Sequence, residues 1–380
     1  MSAIQPLLES DVIECATGEL RVLAWPIDPG NPYTASLYAQ MGQGVRVKAF
    51  SAANLAHRHD IWHVHWPESL LNIRNAALAA FKMSSFLAMI DLVRMRGGKI
   101  VWTVHNLRAH DGLHPSLEAR FYRHFIPRVD GIISLSEVGL NLARERFPRL
   151  RHLPSAVILH GHYRDQYPRC EGNARVELNI PAADPVVLFF GEIRAYKNVD
   201  ALVRAFRNVT VSNAHLMIAG RPKSAALGEM LAKEAAPDPR VRLDLGFIQP
   251  DKVARLFSAA DLVVLPYRHI LNSGAALLAL SLNRPILVPD LGSMGDLRDN
   301  FGDEWVRTYS GEMSPEILES ALEWAARRRP SFCEIPVEYR WENIRAQTVR
   351  FYRQVLKSRR TTAGNQGPDP ISIVEPKGRV

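Results

Sequence analysis

The chain contains little cysteine and lacks the segments that direct export. Its three cysteines, Cys15, Cys170 and Cys333, lie far apart and form no CxxC pair or Cys/His spacing suited to zinc. This pattern excludes a disulfide framework and gives no reason to expect a bound metal, so a reducing, cytoplasmic compartment is predicted. The first twenty residues lack a basic stretch followed by an apolar core, and no apolar run reaches about 18 residues. Neither a signal peptide nor a transmembrane helix is expected.

The sequence also lacks the glycine signatures of common nucleotide-binding folds. It has no GxGxxG, no GxxxxGK[ST] and no DxD-like pair at a predicted strand end. Lys and Arg outnumber Asp and Glu by 47 to 39, a formal net charge of +8, which favours a phosphate, nucleic-acid or acidic-lipid partner. A nucleic-acid-binding protein is the alternative from another class. Because the cations form no single stripe and no RRM, KH or helix-turn-helix signature occurs, no nucleic-acid partner is expected.

Short apolar segments alternate with helical periodicity along most of the chain. The predicted strands are LRVLAW (20–25), VRVKAF (45–50), IWHVHW (61–66), KIVWTVH (99–105), GIISLS (131–136), AVILHG (156–161), VVLFFG (186–191), HLMIAG (215–220), VRLDLG (241–246), DLVVLPY (261–267) and RPILVP (284–289). Continuous apolar strands separated by helices are typical of parallel sheets covered on both faces. We therefore predict an α/β protein with two Rossmann-like, doubly wound domains facing a cleft.

The predicted domains are residues 18–165 and residues 180–340. They are joined within the segment 164–185, which is rich in polar residues, proline and glycine and has no sustained apolar period. A last helical stretch covers 341–357, and the polar tail 358–380 is predicted to be disordered.

One predicted strand end carries a conspicuous pair of cations. In GEIRAYK, 191–197, Gly191 is followed by Arg194 and Lys197, and a helical pattern begins directly afterwards. Cations beside the free N–H groups of a helix N-terminus favour a diphosphate, and a glycine lets that anion approach the backbone. The segment AGRPK, 219–223, repeats the arrangement more weakly. The alternative is a strand-turn-helix unit whose basic residues are only solvated.

A second strand end leads into the tripeptide Asn272-Ser273-Gly274. Ser273 or Asn272 can cap the apolar helix that follows through a side-chain oxygen, and Gly274 allows a close approach to the backbone. One interpretation is that the approaching group is a ligand. The alternative is a capped helix that only packs on a parallel sheet.

The Gly-x-x-Arg-x-x-Lys turn, at the start of the second of two such domains, resembles nucleotide-sugar glycosyltransferases of the GT-B fold. The resemblance implies that the C-terminal domain holds the donor and that helix 341–357 packs back on the first domain. The donor-binding residues it implies are Gly191, Arg194, Lys197, Tyr267, Asn272, Ser273 and Gly274. Retaining members carry two glutamates eight positions apart, where this sequence has Ile270 and Leu278. A retaining mechanism is therefore not expected.

Seven motifs in one order narrow the resemblance to glycosyltransferase family 94, the xanthan-type β-mannosyltransferases. They are NPY (31–33), HVHWPE (63–68), TVHN (103–106), ILHGHYRD (158–165), GEIRAYK (191–197), VVLPY (263–267) and NSGAALLALSLNRP (272–285). The resemblance spans about residues 20–355. It implies inverting transfer of mannose from GDP-mannose to a polyprenyl-diphosphate-linked oligosaccharide in exopolysaccharide biosynthesis, without a cofactor or metal. A GT-B enzyme with another sugar nucleotide or a non-lipid acceptor is the alternative.

An inverting transfer needs a general base, which we expect from the N-terminal domain. Glu68 follows a strand end and is the first candidate, Asp111 is the second and His65 is the third. Each has a structural alternative, since Glu68 can face a helix dipole and His65 and His105 can be hydrogen-bonded imidazoles of the core.

The predicted hinge, at the end of the first domain, carries four further candidates. His160, His162, Tyr163 and Arg164 can contact the donor or only brace the two domains, and we predict ligand contact.

A long apolar stretch, 76–99, carries cations and more Met, Phe and Leu than packing on one sheet requires. We predict that it lies on an anionic membrane surface, which would suit a lipid-linked acceptor and a peripheral location on the inner face of the plasma membrane. The segment RFYRHFIPR, 120–128, supplies a second basic-aromatic patch. The alternative for 76–99 is a helix buried between a sheet and its neighbour.

Overall fold

The fold was determined as a computed structural model that describes residues 18–28, 31–108 and 112–358. Cys15, Asp111 and the tail from residue 359 lie outside these ranges. The first sheet contains β1 (Leu20–Trp25), β2 (Val45–Ala49), β3 (Ile61–His65), β4 (Lys99–Val104), β5 (Gly131–Ser134) and β6 (Ser155–Val157). The strands are parallel and lie in the order β2-β1-β3-β4-β5-β6.

The second sheet repeats this plan. It contains β7 (Val186–Phe190), β8 (His215–Ala219), β9 (Val241–Asp244), β10 (Leu262–Val264), β11 (Ile286–Pro289) and β12 (Val306–Tyr309). These strands are also parallel, in the order β12-β11-β10-β7-β8-β9. The predicted α/β class with two doubly wound sheets is confirmed. The sequence pattern missed β12, because this edge strand is only half-buried and lacks a continuous apolar run.

Most helices connect consecutive strands within a sheet, whereas the sixth lies between the two sheets and the last two follow β12. The helices are α1 (Pro32–Tyr38), α2 (Ala52–Leu55), α3 (Ala76–Met95), α4 (Pro115–Phe125), α5 (Glu137–Arg146), α6 (Ala174–Glu177), α7 (Val199–Arg207), α8 (Ala225–Ala235), α9 (Pro250–Ala259), α10 (Gly274–Ser281), α11 (Met294–Phe301), α12 (Pro315–Ala325) and α13 (Trp341–Lys357). A helix that links two adjacent parallel strands begins near the carboxyl edge of the sheet and returns to the amino edge. The loops after the strands therefore gather at one edge of each sheet.

The two faces of the first sheet bury different layers. On one face, Trp62 and Trp102 pack with α3 and α4 in a large aromatic core. On the other face, Ile61 and Val101 pack with α1 and α13. The chain thus returns from the second sheet to the first, and Tyr352 of α13 is fully buried there.

Helix α3 is long and apolar enough to cross a membrane by length and composition alone. Its residues Met83, Phe86 and Ile90 are buried in the core of the first sheet. Because α3 connects the paired strands β3 and β4, it remains on the sheet face and cannot span a bilayer in this fold. Its opposite face exposes apolar side chains, so burial accounts for only part of its apolar surface, and membrane contact stays a prediction.

The segment 120–128 differs from its sequence-based prediction. Phe121, Tyr122 and Phe125 are buried in the core, whereas Arg120 and Arg123 are exposed. A basic-aromatic patch is therefore wrong for this segment, because α4 packs its Phe and Tyr side chains on the sheet and leaves Arg120 and Arg123 exposed without them.

We predict that Gly161→Ala destabilises the protein. A Cβ atom at this position would overlap the ring of Trp341, which is also held by a hydrogen bond from its Nε1 to the carbonyl oxygen of His162, 2.7 Å away. The expected loss in free energy of unfolding is about 1–3 kcal/mol, measured by urea denaturation. Gly246→Ala is the matched control, because a Cβ atom there meets nothing within 4 Å. Equal stability of both variants would contradict this account of residues 158–165, which follow β6 and are called the linker below.

Candidate functional site

The order of the second sheet defines where a ligand can bind. Strand β7 lies between β10 and β8, so the chain leaves β7 and β10 in opposite directions. Ligands of open α/β sheets bind at this switch point, outside the carboxyl ends of the strands. The loop after β7 contains Gly191–Lys197, and the loop after β10 leads through Tyr267 to Gly274. Both segments predicted to hold the donor thus flank the switch point.

Lys197 lies close against the backbone of the first loop. A Cβ atom at position 191 would be 3.3 Å from Lys197 Nζ, and Gly191 has a φ of +126°, which L side chains rarely adopt. Lys197 Nζ is 5.8 Å from the centre of the Tyr267 ring. Burial, together with the charge of Arg194, lowers the pKa of Lys197 to about 8, although Glu192 opposes the shift. The loop therefore contains a desolvated ammonium that an anion would stabilise.

Arg194 is paired within the same loop. Its Nε donates to Glu192 Oε2 at 3.0 Å. The neighbouring loop after β8 is joined to it through a bridge between Ile193 and Pro222, which brings the weaker AGRPK segment alongside. A bound diphosphate would compete with Glu192 for the Arg194 guanidinium.

One of the two residues predicted to cap helix α10, Ser273, does so. Ser273 Oγ accepts from the Ala276 N–H at 3.1 Å and lies 3.3 Å from the Tyr267 hydroxyl. Asn272 does not cap, and its buried Nδ2 has no hydrogen-bond partner among the described residues. Ser273 is therefore the cap, and Asn272 is left with an unused donor.

The group that approaches Gly274 belongs to the linker between the sheets. A Cβ atom at Gly274 would lie 2.9 Å from the Tyr163 hydroxyl and 3.7 Å from His160 Nε2. Tyr163 is anchored through its N–H, which donates to Ser281 Oγ of α10 at 2.9 Å. Gly274 thus allows a contact within the chain at the place where the sequence suggested a ligand.

Arg164 and His162 hold the linker to its surroundings. Arg164 donates to the carbonyl oxygen of Cys333 at 2.7 Å and stacks on Phe332, 3.8 Å from the ring centre. The His162 N–H donates to the carbonyl oxygen of Tyr339. These contacts favour the bracing alternative for both residues, whereas His160 and Tyr163 lie at the junction of the two sheets.

The carboxyl edges of the two sheets face each other. A small cavity of about 30 Å³ lies between Ser136 after β5, His160 after β6 and Asn272–Ser273 after β10. A larger cavity of about 630 Å³ opens beside Tyr267, at the carboxyl ends of β10, β11 and β12. Its volume is within the usual range of ligand pockets.

Glu68 lies at the carboxyl edge of the first sheet, just after β3. Its Oε1 accepts from Asn106 Nδ2 at 2.8 Å, while its buried Oε2 has no partner from another described residue. Burial raises the pKa of Glu68 to about 7, and the hydrogen bond from Asn106 opposes the rise. Asn106 is not among the site residues predicted from the sequence, although its place after β4 puts it beside the residues that follow β3.

His65 lies on the opposite face of β3 and is fully buried. Its Nε2 is 2.6 Å from the Tyr38 hydroxyl and its Nδ1 is 2.9 Å from His105 Nε2. Burial lowers the pKa of His65 to about 3, so the ring is neutral. Since both ring nitrogens are engaged, these contacts favour the core alternative for His65. In the parts of the chain that the structure describes, no three His, Cys, Asp or Glu side chains converge as a metal site.

Two facing doubly wound sheets, with a cationic loop and a capped helix at the switch point of the second, define a GT-B glycosyltransferase. Residues 184–313 match the family model of glycosyl transferases group 1. A GDP-mannose:glycolipid 4-beta-D-mannosyltransferase from Xanthomonas campestris pv. campestris is 31% identical over 304 residues, covering 79% of this chain and 82% of the relative. The chain belongs to the family of that mannosyltransferase and is a glycosyltransferase.

Solved structures support the fold. A sucrose-phosphate synthase from Thermosynechococcus elongatus superposes with a TM-score of 0.57 at 16% identity and 89% coverage of both chains. Anabaena HepE, in complex with UDP-glucose, superposes with a TM-score of 0.58 at 14% identity, covering 88% of this chain and 98% of HepE. At these identities the likeness concerns the fold alone.

We predict that binding of a nucleoside diphosphate, with GDP as the probe, depends on the charge of Lys197. Lys197→Gln should weaken binding by about 1.5–3 kcal/mol at neutral pH, as should Arg194→Ala, because each loses a charge-assisted contact. In the wild type, the ammonium loses its proton as pH rises through about 8, so affinity should then fall by up to about tenfold per pH unit. Lys197→Gln should lack this decline.

Titration calorimetry of GDP between about pH 7 and pH 9.5 measures both effects. The exposed Lys233 of α8 provides the matched control, Lys233→Gln. Near-normal GDP affinity in both site variants would mean that the loop is only a solvated turn.

Proposed function

We propose that this glycosyltransferase transfers mannose from GDP-mannose, with inversion, to a polyprenyl-diphosphate-linked oligosaccharide in exopolysaccharide biosynthesis. The observation that carries the proposal is the 31% identity, over most of both chains, to a relative named as a GDP-mannose:glycolipid 4-beta-D-mannosyltransferase. The cationic loop at the switch point supports a nucleoside-diphosphate leaving group, since Arg194 and Lys197 can neutralise its charge without a metal.

The apolar character of α10 supports inversion. Leu278 is buried among apolar residues and Ile270 packs against the same core, so neither position offers the carboxylate of a retaining enzyme. In a direct displacement, the acceptor hydroxyl attacks the anomeric carbon as GDP leaves from the opposite face. The reaction then needs a base but no protein nucleophile.

We assign the base to Glu68. Its desolvated carboxyl has a pKa of about 7, which suits a group that must accept a proton near neutral pH. The free Oε2 supports this role, because one oxygen is held by Asn106 while the other has no partner from another described residue. Asp111 lies outside the described residues and remains the second candidate.

The function is tested with radiolabelled GDP-mannose and a lipid extract from the source organism, followed by NMR of the product. We expect a β-mannoside on a lipid-linked acceptor. Transfer from another sugar nucleotide, or to a non-lipid acceptor, would replace the substrate assignment, and an α-linked product would overturn inversion.

We predict a bell-shaped pH profile for kcat/KM, with limbs near pH 7 from Glu68 and near pH 8 from Lys197. Glu68→Gln should lower turnover by roughly 10²–10⁴-fold with little change in GDP affinity. Asn106→Ala should move the acid limb above pH 7, because it removes the hydrogen bond that lowers the pKa of Glu68. A fully active Glu68→Gln enzyme would transfer the role to another group, and Asp111 would be tested next.

We further propose that α3 lies on an anionic membrane surface. Its outer face exposes Leu78 and Phe81, 43% and 68% accessible, beside the exposed Lys82. Arg120 and Arg123 of the neighbouring α4 add positive charge. The N-terminal half of α3 lies toward the carboxyl edge of the sheet, so the same surface would bring a lipid-linked acceptor near the cleft.

Phe81→Asp should weaken binding to vesicles of anionic phospholipid by about tenfold or more, because it removes an apolar anchor and adds repulsion. Cosedimentation measures the effect. Val176→Asp, at a 68% exposed position in α6, is the matched control and should bind like the wild type. Equal binding of the wild type, Phe81→Asp and Val176→Asp would contradict the proposed contact between α3 and the membrane.

A further inference from the structure

A chain of hydrogen-bonded side chains runs through the core beneath α1 and α13. Its members are Thr103, His63, Tyr352, Tyr38, His65 and His105. Strands β3 and β4 supply alternate side chains to this face, and α1 and α13 each add one tyrosine. All six side chains are buried or largely buried, so the protons between Thr103 and His105 must find their acceptors within this group.

The contacts are short and continuous. His63 Nε2 is 2.6 Å from Thr103 Oγ1, and His63 Nδ1 is 2.6 Å from the Tyr352 hydroxyl and 2.8 Å from that of Tyr38. The two tyrosine hydroxyls also interact with each other. The Tyr38 hydroxyl is 2.6 Å from His65 Nε2. His65 Nδ1 and His105 Nε2, 2.9 Å apart, complete the chain.

The direction in which protons are donated along this series of side chains follows from its inner end, at Thr103. Among the described residues, the only hydrogen-bond partner of Thr103 Oγ1 is His63 Nε2. The Thr103 hydroxyl proton is satisfied only if it is donated to that nitrogen, which must then be unprotonated. Neutral His63, whose pKa burial lowers, therefore carries its proton on Nδ1 and donates to a tyrosine oxygen.

The protons of the following side chains, toward His105, can be assigned in the same way. His63 Nδ1 donates to the Tyr38 hydroxyl oxygen, 2.8 Å away, and Tyr38 donates to His65 Nε2, so the His65 proton is on Nδ1. His65 then donates to His105 Nε2, and the proton of neutral His105 is also on Nδ1. Each proton along this path has an acceptor except the Nδ1–H of His105, which lies at the 8% exposed outer end, whereas Thr103 is fully buried. The opposite direction leaves the Thr103 hydroxyl proton unpaired.

We propose that Thr103 sets the direction of this chain, so that His63, His65 and His105 are all held in the Nδ1–H tautomer and His105 directs a donor outward. Nδ1 of His105 has no partner within the described parts of the chain, and the ring lies against Trp66 and Tyr33. Tyr33 in turn contacts His160 at the junction of the sheets. His105 thus donates to an oxygen of a bound substrate, and neither His105 nor His65 is the base. Only this substrate contact rests on the proposed function.

The chain is tested by long-range ¹H–¹⁵N NMR of the full-length protein with labelled histidine, without ligand. We expect Nδ1–H resonances for His63, His65 and His105. His59 and His114 are internal controls, since their Nε2 atoms lie 2.7 and 2.6 Å from backbone carbonyl oxygens and must carry the proton. An Nε2–H form at His63 or His65 would overturn the proposal.

Thr103→Val tests the residue that sets the direction. With no donor to His63 Nε2, the preference for one direction falls, and a second set of histidine resonances is expected. Thr103→Ser keeps the hydroxyl and should retain the wild-type pattern. An unchanged single tautomer in Thr103→Val would overturn the role of Thr103. If Thr103→Val fails to fold, the wild-type spectrum still decides the direction.

The outward donor is tested by replacing His105. The Asn amide nitrogen approximates Nδ1 and the Gln amide nitrogen approximates Nε2, so His105→Asn should retain more affinity than His105→Gln, by about two- to tenfold. Calorimetry with GDP and with GDP-mannose distinguishes the two possible acceptors. A loss with both ligands indicates a diphosphate oxygen, and a loss with GDP-mannose alone indicates a sugar hydroxyl.

Equal affinities of His105→Asn and His105→Gln for both ligands would overturn the substrate contact. Failure of the wild type to bind GDP-mannose would instead contradict the proposed donor, and the tautomer measurement would stand independently.

Discussion

The contact between the linker and helix α10 determines how the two sheets are oriented toward each other. Tyr163 reaches the backbone at Gly274, where no side chain could be accommodated without displacing its hydroxyl, and its own N–H is held by Ser281. Trp341, at the start of α13, holds the adjacent residue of the linker by donating to the carbonyl oxygen of His162. The cationic loop and the imidazoles of the first sheet therefore lie on opposite sides of one junction.

Desolvation gives the two sides different chemistry. In the second sheet, burial lowers the pKa of Lys197 toward neutrality, so its charge is available to an anion but not strongly favoured without one. In the first sheet, burial raises the pKa of Glu68 and keeps His65 and His160 neutral. One physical effect thus underlies both proposed roles, leaving-group stabilisation on one sheet and proton acceptance on the other.

The proposed membrane contact of α3 would extend this arrangement to the acceptor. One face of the helix packs in the core through Met83, Phe86 and Ile90. A second apolar face remains exposed. A single apolar sequence can therefore serve both the core and a surface, which explains why its composition alone was ambiguous. The aromatic residues of α4 illustrate the opposite outcome, since the core takes all of them.

The sequence by itself determined the architecture, because continuous apolar strands alternating with amphipathic helices can be buried only in covered parallel sheets. It also located the loop at Gly191 and confined the cap of α10 to Asn272 or Ser273, since both depend on local backbone and side-chain chemistry. The tertiary structure alone decided what approaches Gly274, what Arg164 holds and how His65 is used. Those roles depend on partners far away in sequence, such as Tyr163 for Gly274, Cys333 for Arg164 and Tyr38 for His65. Periodicity records which face of an element is apolar, but only packing brings a particular distant side chain against it.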